Sequence, residues 1–166
     1  MKINEKIKKE FPWGAGREWK ARTRAIAKAI PPRCSVLDLG GGFCHLLKYL
    51  EECPRYLSLD LKKWTDRTVE ADFNAGSYPD LRLRYDVLVA QGIIEYLDDP
   101  AEFLERIQRY GSRLLITYRP KECKRPEDSF RLSLAWLDKA LRDAGWKVVF
   151  GKHLTPGEVL YYCSTT

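Results

Sequence analysis

The stretch Val36-Leu37-Asp38-Leu39-Gly40-Gly41-Gly42-Phe43 places a short, mostly apolar segment directly before three glycines. This pattern predicts a buried β-strand followed by a tight turn. Apolar residues then recur at helical spacing, which predicts a helix closed by Pro54: Phe43, Leu46, Leu47 and Leu50. Glycines between a strand and a helix let the backbone approach a ligand closely and expose amide hydrogens at the helix N-terminus.

A second apolar segment, Tyr56-Leu57-Ser58-Leu59, ends at the acidic residue Asp60. A carboxylate at the end of the strand that follows a glycine turn can accept hydrogen bonds from both hydroxyls of a ribose. The alternative is that the glycines serve only the tight packing of a helix against the sheet. The order of strand, glycines, helix, strand and acid favours the ligand site over this alternative.

The rest of the chain continues the alternation of strands and helices. Five further strands are predicted at residues 69–72, 85–90, 113–117, 146–150 and 159–163. Three further helices are predicted: an amphipathic one over residues 15–30, one that starts near Asp98-Asp99-Pro100, and one over residues 134–144 that ends at Gly145.

This order of elements predicts the fold class. Alternating strands and helices favour parallel pairing in a sheet that is covered on both faces. The last two strands are separated by a turn containing Pro156-Gly157, which is too short for a parallel crossover. We therefore expect a Rossmann-like three-layer α/β sandwich, with a mostly parallel seven-stranded sheet whose last strand is antiparallel. This outcome disfavours a plain doubly wound nucleotide-binding domain and a flavodoxin-like domain.

Length and composition limit the possible classes of protein. The 166 residues, 45% hydrophobic and 31% charged, fit one compact domain, with a basic helical segment at residues 1–33 and a core at residues 34–166. No apolar run approaches the roughly 20 residues that span a bilayer, and residues 1–10 lack a signal core, so a cytoplasmic location is expected. Five irregularly spaced cysteines and two histidines predict neither a disulfide framework nor a metal site.

Two classes of cofactor compete for the glycine turn. A dinucleotide fold usually has the pattern Gly-x-Gly-x-x-Gly, but His45 stands three residues after Gly42. The carboxylate of Asp38 would repel a pyrophosphate, whereas it suits a ligand that carries an ammonium and a sulfonium. The chemistry therefore favours S-adenosylmethionine.

From Val36 to Cys163 the sequence resembles the class I S-adenosylmethionine-dependent methyltransferases, and most closely their "methyltransferase type 11" branch. Residues 36–43, 56–60, 71–74 (Ala-Asp-Phe-Asn) and 85–97 (YDVLVAQGIIEYL) correspond to four motifs of the family. The resemblance implies that Asp60 binds the ribose, that Asp72 caps the adenine amino group and that Phe73 packs on the adenine ring. The full set of implied cofactor-binding residues is Asp38, Gly40, Gly41, Gly42, Asp60, Leu61, Asp72, Phe73 and Gln91.

Two residues depart from the family pattern. Cys44 stands where the first motif usually has a third glycine, so the approach of the cofactor to the helix differs there. Tyr96 stands where many relatives have a histidine, so any role of that histidine as a base is missing or altered in this chain.

The resemblance implies a direct displacement at a sulfonium-bound methyl carbon, in which the protein mainly positions donor and acceptor and excludes water. Residues after the fourth and fifth strands are expected to face the acceptor, and the N-terminal segment could cover the pocket: Ile93, Glu95, Tyr96, Tyr118, Arg119, Trp13 and Trp19. An oxygen acceptor also needs a base. No base is assigned, and the candidates are Glu95, Tyr96 and His153.

The net charge of +6 is concentrated at residues 1–33 and 119–131 and favours an anionic partner, although a solvated basic face explains it as well. Three functions remain open: methylation of a small molecule or glycan, chiefly at oxygen; methylation of RNA; or a catalytically silent subunit that binds the cofactor or serves as a scaffold. Residues 90–93 read Ala-Gln-Gly-Ile instead of the Asn-Pro-Pro-Tyr type typical of enzymes that methylate base amino groups, which weighs against RNA.

Overall fold

A computed structural model of the protein describes residues 17–121 and 132–165, with side chains from Lys20 onward. Within these ranges lie three α-helices: α1 (Arg17–Ala27), α2 (Pro100–Arg106) and α3 (Leu134–Asp143). Its seven strands are β1 (Val36–Leu39), β2 (Tyr56–Asp60), β3 (Thr68–Glu70), β4 (Val87–Gln91), β5 (Arg113–Tyr118), β6 (Lys147–Thr155) and β7 (Glu158–Ser164). Short 3-10 helices lie at His45–Tyr49, Phe73–Ala75, Ile94–Tyr96 and Ile107–Tyr110.

All seven strands form one sheet in the order β3-β2-β1-β4-β5-β7-β6. The first five strands pair in parallel, and β7 is antiparallel to both β5 and β6. The predicted fold class is therefore confirmed, including the single antiparallel strand. The order also puts the ends of β1 and β2 side by side, where a ligand site is expected at the carboxyl edge of an open α/β sheet.

The sheet is covered on both faces because its central strands are apolar on both. Successive residues of a strand point to opposite faces. In β4, Leu88 and Ala90 pack with α2 and α3, whereas Val87 and Val89 pack with α1 and the 3-10 helix at His45–Tyr49. Two hydrophobic clusters result, one on each face, and they give the three layers.

The predicted helix starts are confirmed by their caps. Asp99 precedes α2, its Oδ1 accepts a hydrogen bond of 2.9 Å from the amide of Glu102, and Pro100 occupies the first turn. Ser133 caps α3 in the same way through the amide of Trp136, at 3.1 Å. Gly145 follows α3 with φ +82°, a conformation that glycine adopts without strain.

One predicted element is wrong in kind. The segment after Gly42 forms only a 3-10 helix at His45–Tyr49, rather than an α-helix that begins at Phe43. The cause is local, because Cys44 adopts a left-handed conformation with φ +57° and no side chain caps the helix. Phe43 accordingly remains 44% exposed and does not join the core.

The connection between β2 and β3 is short. Residues 61–67 cross from the carboxyl end of β2 to the start of β3 without a regular helix, and this segment is called the β2–β3 loop below. Parallel strands are usually joined by a longer crossover that contains a helix. The short path keeps the loop at the carboxyl edge of the sheet, beside Asp60.

Among the helices in the described part of the chain, none combines the length and apolar character needed to cross a membrane.

Candidate functional site

The structure brings the glycine turn and the acid at the end of β2 into direct contact. The amide of Gly42 donates a hydrogen bond of 2.9 Å to Oδ2 of Asp60. The amide of Gly40 donates to the carbonyl of Leu59 at 2.7 Å, which fixes the start of the turn to β2. The predicted proximity of these residues is present at the carboxyl edge of the sheet.

The backbone angles and the surrounding space differ among the three glycines of the turn. Gly40 has φ +75° and Gly42 has φ +53°, a region that side chains rarely adopt. A Cβ on Gly41 would lie 2.7 Å from both the Asp38 carboxyl group and the Ser58 hydroxyl, so a side chain has no room there. By contrast, a Cβ on Gly42 would meet nothing within 4 Å. The turn is therefore closed toward the sheet at Gly41 and open outward at Gly42.

Asp38 lies beneath the turn rather than on its surface. Its side chain is 0% exposed, and its Oδ2 accepts a hydrogen bond of 2.5 Å from the hydroxyl of Tyr56. Burial raises the pKa of Asp38 from its ordinary 3.8 to about 7, and the Tyr56 hydrogen bond opposes that rise. Burial and the neighbouring Asp38 likewise raise the pKa of Tyr56, so the phenol keeps its proton and donates it. Asp38 therefore supports the turn from below, and its predicted role in cofactor binding stays a prediction.

Two buried polar atoms under the turn lack a hydrogen-bond partner within the described residues. They are Oδ1 of Asp38 and Oγ of Ser58, and both residues lie against Gly41. Buried polar atoms are nearly always paired with protein, water or a ligand. An additional polar group, such as a bound water, is therefore expected directly beneath the glycine turn.

Asp60 is half-buried and accepts three hydrogen bonds. Oδ2 accepts the hydrogen bond from the Gly42 amide. Oδ1 accepts one hydrogen bond of 3.0 Å from the indole Nε1 of Trp64 and another of 3.4 Å from the amide of Lys62. Leu61, which follows Asp60, is 48% exposed on the same edge. Both residues lie at the carboxyl edge of the sheet, and their predicted contacts with the ribose and the adenosine stay predictions.

Asp72 and Phe73 lie at the start of the 3-10 helix at Phe73–Ala75. Oδ1 of Asp72 caps this helix by accepting from the amides of Asn74 and Ala75, at 3.1 and 3.3 Å. Phe73 is 8% exposed and packs in the core against the rings of Tyr78 and Phe103. Asp72 remains half-exposed, whereas Phe73 offers little surface, and the predicted adenine contacts of both stay predictions.

Gln91 ends β4 close to the N-terminal helix. Its Oε1 accepts a hydrogen bond of 3.3 Å from the hydroxyl of Thr23 in α1. The preceding residue, Arg22, forms an ion pair of 2.8 Å with Glu158 at the start of β7, and both side chains are almost fully buried, at 11% and 5% exposed. Arg22 also packs on Gly92, where a Cβ would lie 2.8 Å from its Nη1. Helix α1 therefore covers the carboxyl end of β4 and the start of the antiparallel strand β7 with polar side chains.

Some of the residues that were predicted to face the acceptor lie at the carboxyl end of β4, and the space beyond this edge of the sheet is called the cleft below. Glu95 and Tyr96 lie in the 3-10 helix after β4, Ile93 precedes it, and Oε1 of Glu95 accepts 3.1 Å from the amide of Arg119. Asn74 links this segment to the predicted adenine side by donating to the carbonyl of Tyr96 at 3.0 Å. These four residues thus share one edge of the sheet with the glycine turn.

Two of the predicted residues are not brought to the cleft. Tyr118 is 1% exposed, and its hydroxyl bonds to both the carbonyl and the amide of Leu132 at 2.7 Å, so it serves the core. His153 is exposed on β6, four strands away from β1, which is roughly 19 Å at the usual strand spacing. Trp13, the side chain of Trp19 and residues 122–131 of the predicted basic loop lie outside the described residues.

Sequence reasoning missed several side chains that complete the site. They are Arg22, Tyr56, Ser58, Trp64, Asn74 and Glu158. For Tyr56 and Ser58 a signal existed, because polar groups alternate with leucines along a strand that is otherwise apolar. For Trp64, Arg22 and Glu158 no local pattern indicates the contact, since each reaches its partner from another element or across a loop.

The fold is shared with known methyltransferase structures. A S-adenosylmethionine-dependent methyltransferase from Aquifex aeolicus matches with a TM-score of 0.70 and 19% identity, over 87% of this chain and 89% of that chain. A chain from the complex between the Haloferax volcanii Trm112 methyltransferase activator and a putative methyltransferase matches with a TM-score of 0.71 and 19% identity, over 90% of each chain.

A third match is the 1,6-didemethyltoxoflavin-N1-methyltransferase of Burkholderia thailandensis, solved with 1,6-didemethyltoxoflavin and S-adenosylhomocysteine. Its TM-score is 0.68 and its identity 18%, over 90% of this chain and 81% of that chain. No protein-family model and no curated protein sequence matches the chain. At these identities the likeness establishes the fold.

Proposed function

We propose that the chain binds S-adenosylmethionine at the turn Gly40–Gly42 and Asp60 and transfers its methyl group to an acceptor at the same edge of the sheet. The observation that carries this proposal is the 2.9 Å hydrogen bond from the Gly42 amide to Asp60, which places an open glycine turn beside a half-buried carboxylate. This is the arrangement needed to hold an amino-acid tail and a ribose at once.

The residues present fit the proposed cofactor. The space above Gly42 is open, whereas Gly41 is closed against Asp38 and Ser58, so a ligand can approach the turn only from outside. In this proposal Asp60 accepts from the ribose, the exposed Leu61 contacts the adenosine, and the half-exposed Asp72 accepts from the adenine amino group. Asp38 supports the turn from below, and its carboxylate, where ionised, contributes negative charge that favours an ammonium group.

The bound cofactor supplies a methyl group on a sulfonium, which is already a good leaving group. The protein's contribution is therefore position and exclusion of water rather than strong activation. Arg22 and Glu158 close the cleft from α1 and β7, above Gly92. Asn74 is hydrogen-bonded to both Tyr96 and Asp72. It therefore fixes the position of the proposed acceptor residues relative to the proposed adenine residues.

For the acceptor we propose a small molecule or a glycan that is methylated at oxygen. Support for a small molecule comes from the Burkholderia neighbour, which was solved with the small ring compound 1,6-didemethyltoxoflavin. The choice of oxygen rests on the sequence analysis alone. Of the candidate bases, Glu95 and Tyr96 lie at the cleft and His153 does not. A closer assignment to the type 11 branch rests on the sequence resemblance alone.

The test of cofactor binding uses calorimetry with S-adenosylhomocysteine. Asp60→Asn should weaken its binding at least tenfold, because one carboxylate oxygen that accepts from the ribose becomes a donor. The matched control is Asp66→Asn, an exposed aspartate in the same loop, which should bind like the wild type. Equal affinities for the two variants, or tight binding of NAD in place of the adenosyl ligand, would refute the proposal.

The acceptor class can be tested separately with radiolabelled S-adenosylmethionine. Transfer of label to a small-molecule fraction supports the proposal, and mass spectrometry of the labelled product shows whether the methyl group is on oxygen. Label in RNA, together with RNA binding that falls steeply with salt, would support methylation of RNA instead. Binding of the cofactor without transfer to any fraction would favour a catalytically silent subunit.

A further inference from the structure

The indole N–H of Trp64 is hydrogen-bonded to the Asp60 carboxylate, which the proposed function assigns to the ribose. Its Nε1 donates a hydrogen bond of 3.0 Å to Oδ1 of Asp60, from a position four residues further along the chain. The amide of Lys62 shares the same oxygen at 3.4 Å, and the amide of Gly42 takes Oδ2 at 2.9 Å. Each oxygen of a carboxylate has about two acceptor sites. One good site is therefore left, and it belongs to Oδ2.

A ribose needs more than this one site. Its two neighbouring hydroxyls are both donors and bind a carboxylate best when each oxygen accepts one of them. Oδ2 can accept the first hydroxyl, but Oδ1 already holds two donors. For a bidentate contact the indole has to leave Oδ1, because the Lys62 amide is fixed in the backbone.

Contacts on both sides hold the indole at this position. The ring of Phe43 lies 4.7 Å from the Trp64 ring, centroid to centroid, and Nζ of Lys62 lies 4.8 Å from the Trp64 centroid. Phe43 is itself 44% exposed and belongs to the glycine turn. The aromatic pair therefore bridges the turn and the β2–β3 loop across the place where the ribose would enter.

The backbone of the loop is anchored independently of the indole. The amide of Lys63 donates a hydrogen bond of 3.1 Å to the Glu70 carboxylate. The hydroxyl of Thr65 lies within hydrogen-bond distance of Cys44 Sγ, at 3.3 Å, and of the Thr68 hydroxyl, at 3.2 Å. Because these contacts flank Trp64 on both sides, its side chain can rotate while the loop stays in place. Rotamer changes of exposed side chains are fast.

From these contacts we infer that Trp64 competes with the cofactor's ribose for Asp60 and thereby sets the affinity of the site. The inference rests on the proposed function. Without ligand, the indole N–H donates to the Asp60 oxygen that one ribose hydroxyl would use. Binding of the cofactor therefore includes breaking the hydrogen bond between Trp64 and Asp60. The ligand class concerned is an adenosyl compound with two free ribose hydroxyls.

Trp64→Phe tests this inference, because it removes the competing N–H and keeps an aromatic ring against Phe43. Calorimetry with S-adenosylhomocysteine should show binding about fivefold to tenfold tighter than in the wild type, which is the usual net contribution of one ordinary hydrogen bond. The matched control is Trp136→Phe, a half-buried tryptophan in α3 that packs against the core on one face of the sheet. It should leave the affinity unchanged.

A second ligand separates competition from a general change in the loop. The 2′-deoxy form of S-adenosylhomocysteine lacks one hydroxyl, so in the wild type Trp64 can keep its bond to Oδ1. The deoxy ligand should therefore lose less affinity in the wild type than in Trp64→Phe, where nothing replaces the missing donor. An equal loss in both proteins would contradict the competition.

A spectroscopic readout needs no catalytic activity. In a ¹H–¹⁵N correlation spectrum the indole signal that disappears in Trp64→Phe belongs to Trp64, and this signal should move on addition of S-adenosylhomocysteine and in Asp60→Asn. If both the wild type and Trp64→Phe bind the ligand equally, or the variant binds it more weakly, the inference is overturned. If neither protein binds it, the proposed function itself fails.

Discussion

At the scale of single residues, the buried carboxyl of Asp38 is the group whose ionisation the fold changes most clearly. The group lies directly under the glycine turn, with Tyr56 as its hydrogen-bond donor and the unpartnered hydroxyl of Ser58 nearby. Its pKa is raised by burial to about 7, so the folded protein retains a proton that the unfolded chain releases at lower pH. Ionisation of this residue therefore costs stability within the physiological range.

The sign of this effect can be tested with Asp38→Asn. Because the folded state binds the extra proton between pH 4 and about 7, the free energy of unfolding of the wild type should fall as the pH rises through this window and level off above it. The rise of the pKa from 3.8 to about 7 corresponds to on the order of 4 kcal/mol. Asparagine has no such titration and can still accept from Tyr56.

Urea unfolding of both proteins between pH 4.5 and 8 measures this difference. We expect the stability of Asp38→Asn relative to the wild type to increase steadily up to pH 7. Curves that run parallel across the whole range would show that Asp38 titrates near its ordinary value in the folded protein. The comparison between the two proteins removes the contribution of all other titrating groups.

Individual residues also show how far sequence reasoning reaches. The contact between the glycine turn and Asp60 could be predicted, because the ends of adjacent parallel strands meet at one edge. The position of Trp64 could not, since a side chain in an irregular loop has many possible partners and no periodicity restricts them. The left-handed backbone of Cys44 was also beyond prediction, because such a conformation is uncommon for residues other than glycine.

At the scale of elements, helix α2 depends strongly on its first turn. It has only seven residues, and the Asp99 carboxylate accepts from the Glu102 amide at 2.9 Å. Short helices gain little from propensity and therefore rely on caps and packing. Phe103 and Leu104 of this helix are fully buried against the sheet, so fraying of the first turn would disturb the core.

Asp99→Ala is expected to lower the free energy of unfolding by about 1 kcal/mol through loss of this cap. Thermal or urea unfolding measures the change. The control is Glu105→Ala in the same helix, at an exposed position, which should stay within about 0.5 kcal/mol of the wild type. If both variants lose the same stability, the cap is not the reason.

The strands and helices themselves follow from local patterns, with one instructive exception. Apolar runs predict β1, β2, β4 and β5, and Asp99 with Pro100 predicts the start of α2, because these signals act within a few residues. The prediction of an α-helix after Gly42 was wrong, because the spacing of Leu46, Leu47 and Leu50 carries no information about the backbone conformation of the preceding turn. Backbone conformation at the turn decided where the helix could begin.

At the scale of the whole molecule, an ion pair connects helix α1 to the last strand, β7. Arg22 in α1 and Glu158 in β7 are 136 residues apart in sequence and 2.8 Å apart in space, and both are nearly buried. A charge that is left buried without its partner costs much more than the loss of an exposed ion pair. This pair therefore ties the N-terminal helix to the last strand above the cleft.

Glu158→Gln should lower the free energy of unfolding by about 3 kcal/mol, because it removes the negative charge from a nearly buried ion pair. The control is Glu102→Gln, which breaks the exposed pair with Arg106, of nearly the same length at 2.7 Å, and should cost less than about 0.5 kcal/mol. Chemical denaturation compares the two. Similar losses would mean that Arg22 finds another partner when Glu158 is neutral.

The position of β7 inside the sheet has a consequence for synthesis of the chain. Strands β1 to β5 are translated first, yet the outer edge of β5 is covered only by β7, across six residue pairs from Arg113–Ser164 to Tyr118–Val159. Until the ribosome has released residues 158–164, the nascent sheet carries an open apolar edge of the kind that promotes aggregation. Chaperone dependence during translation should accordingly end only when this segment emerges.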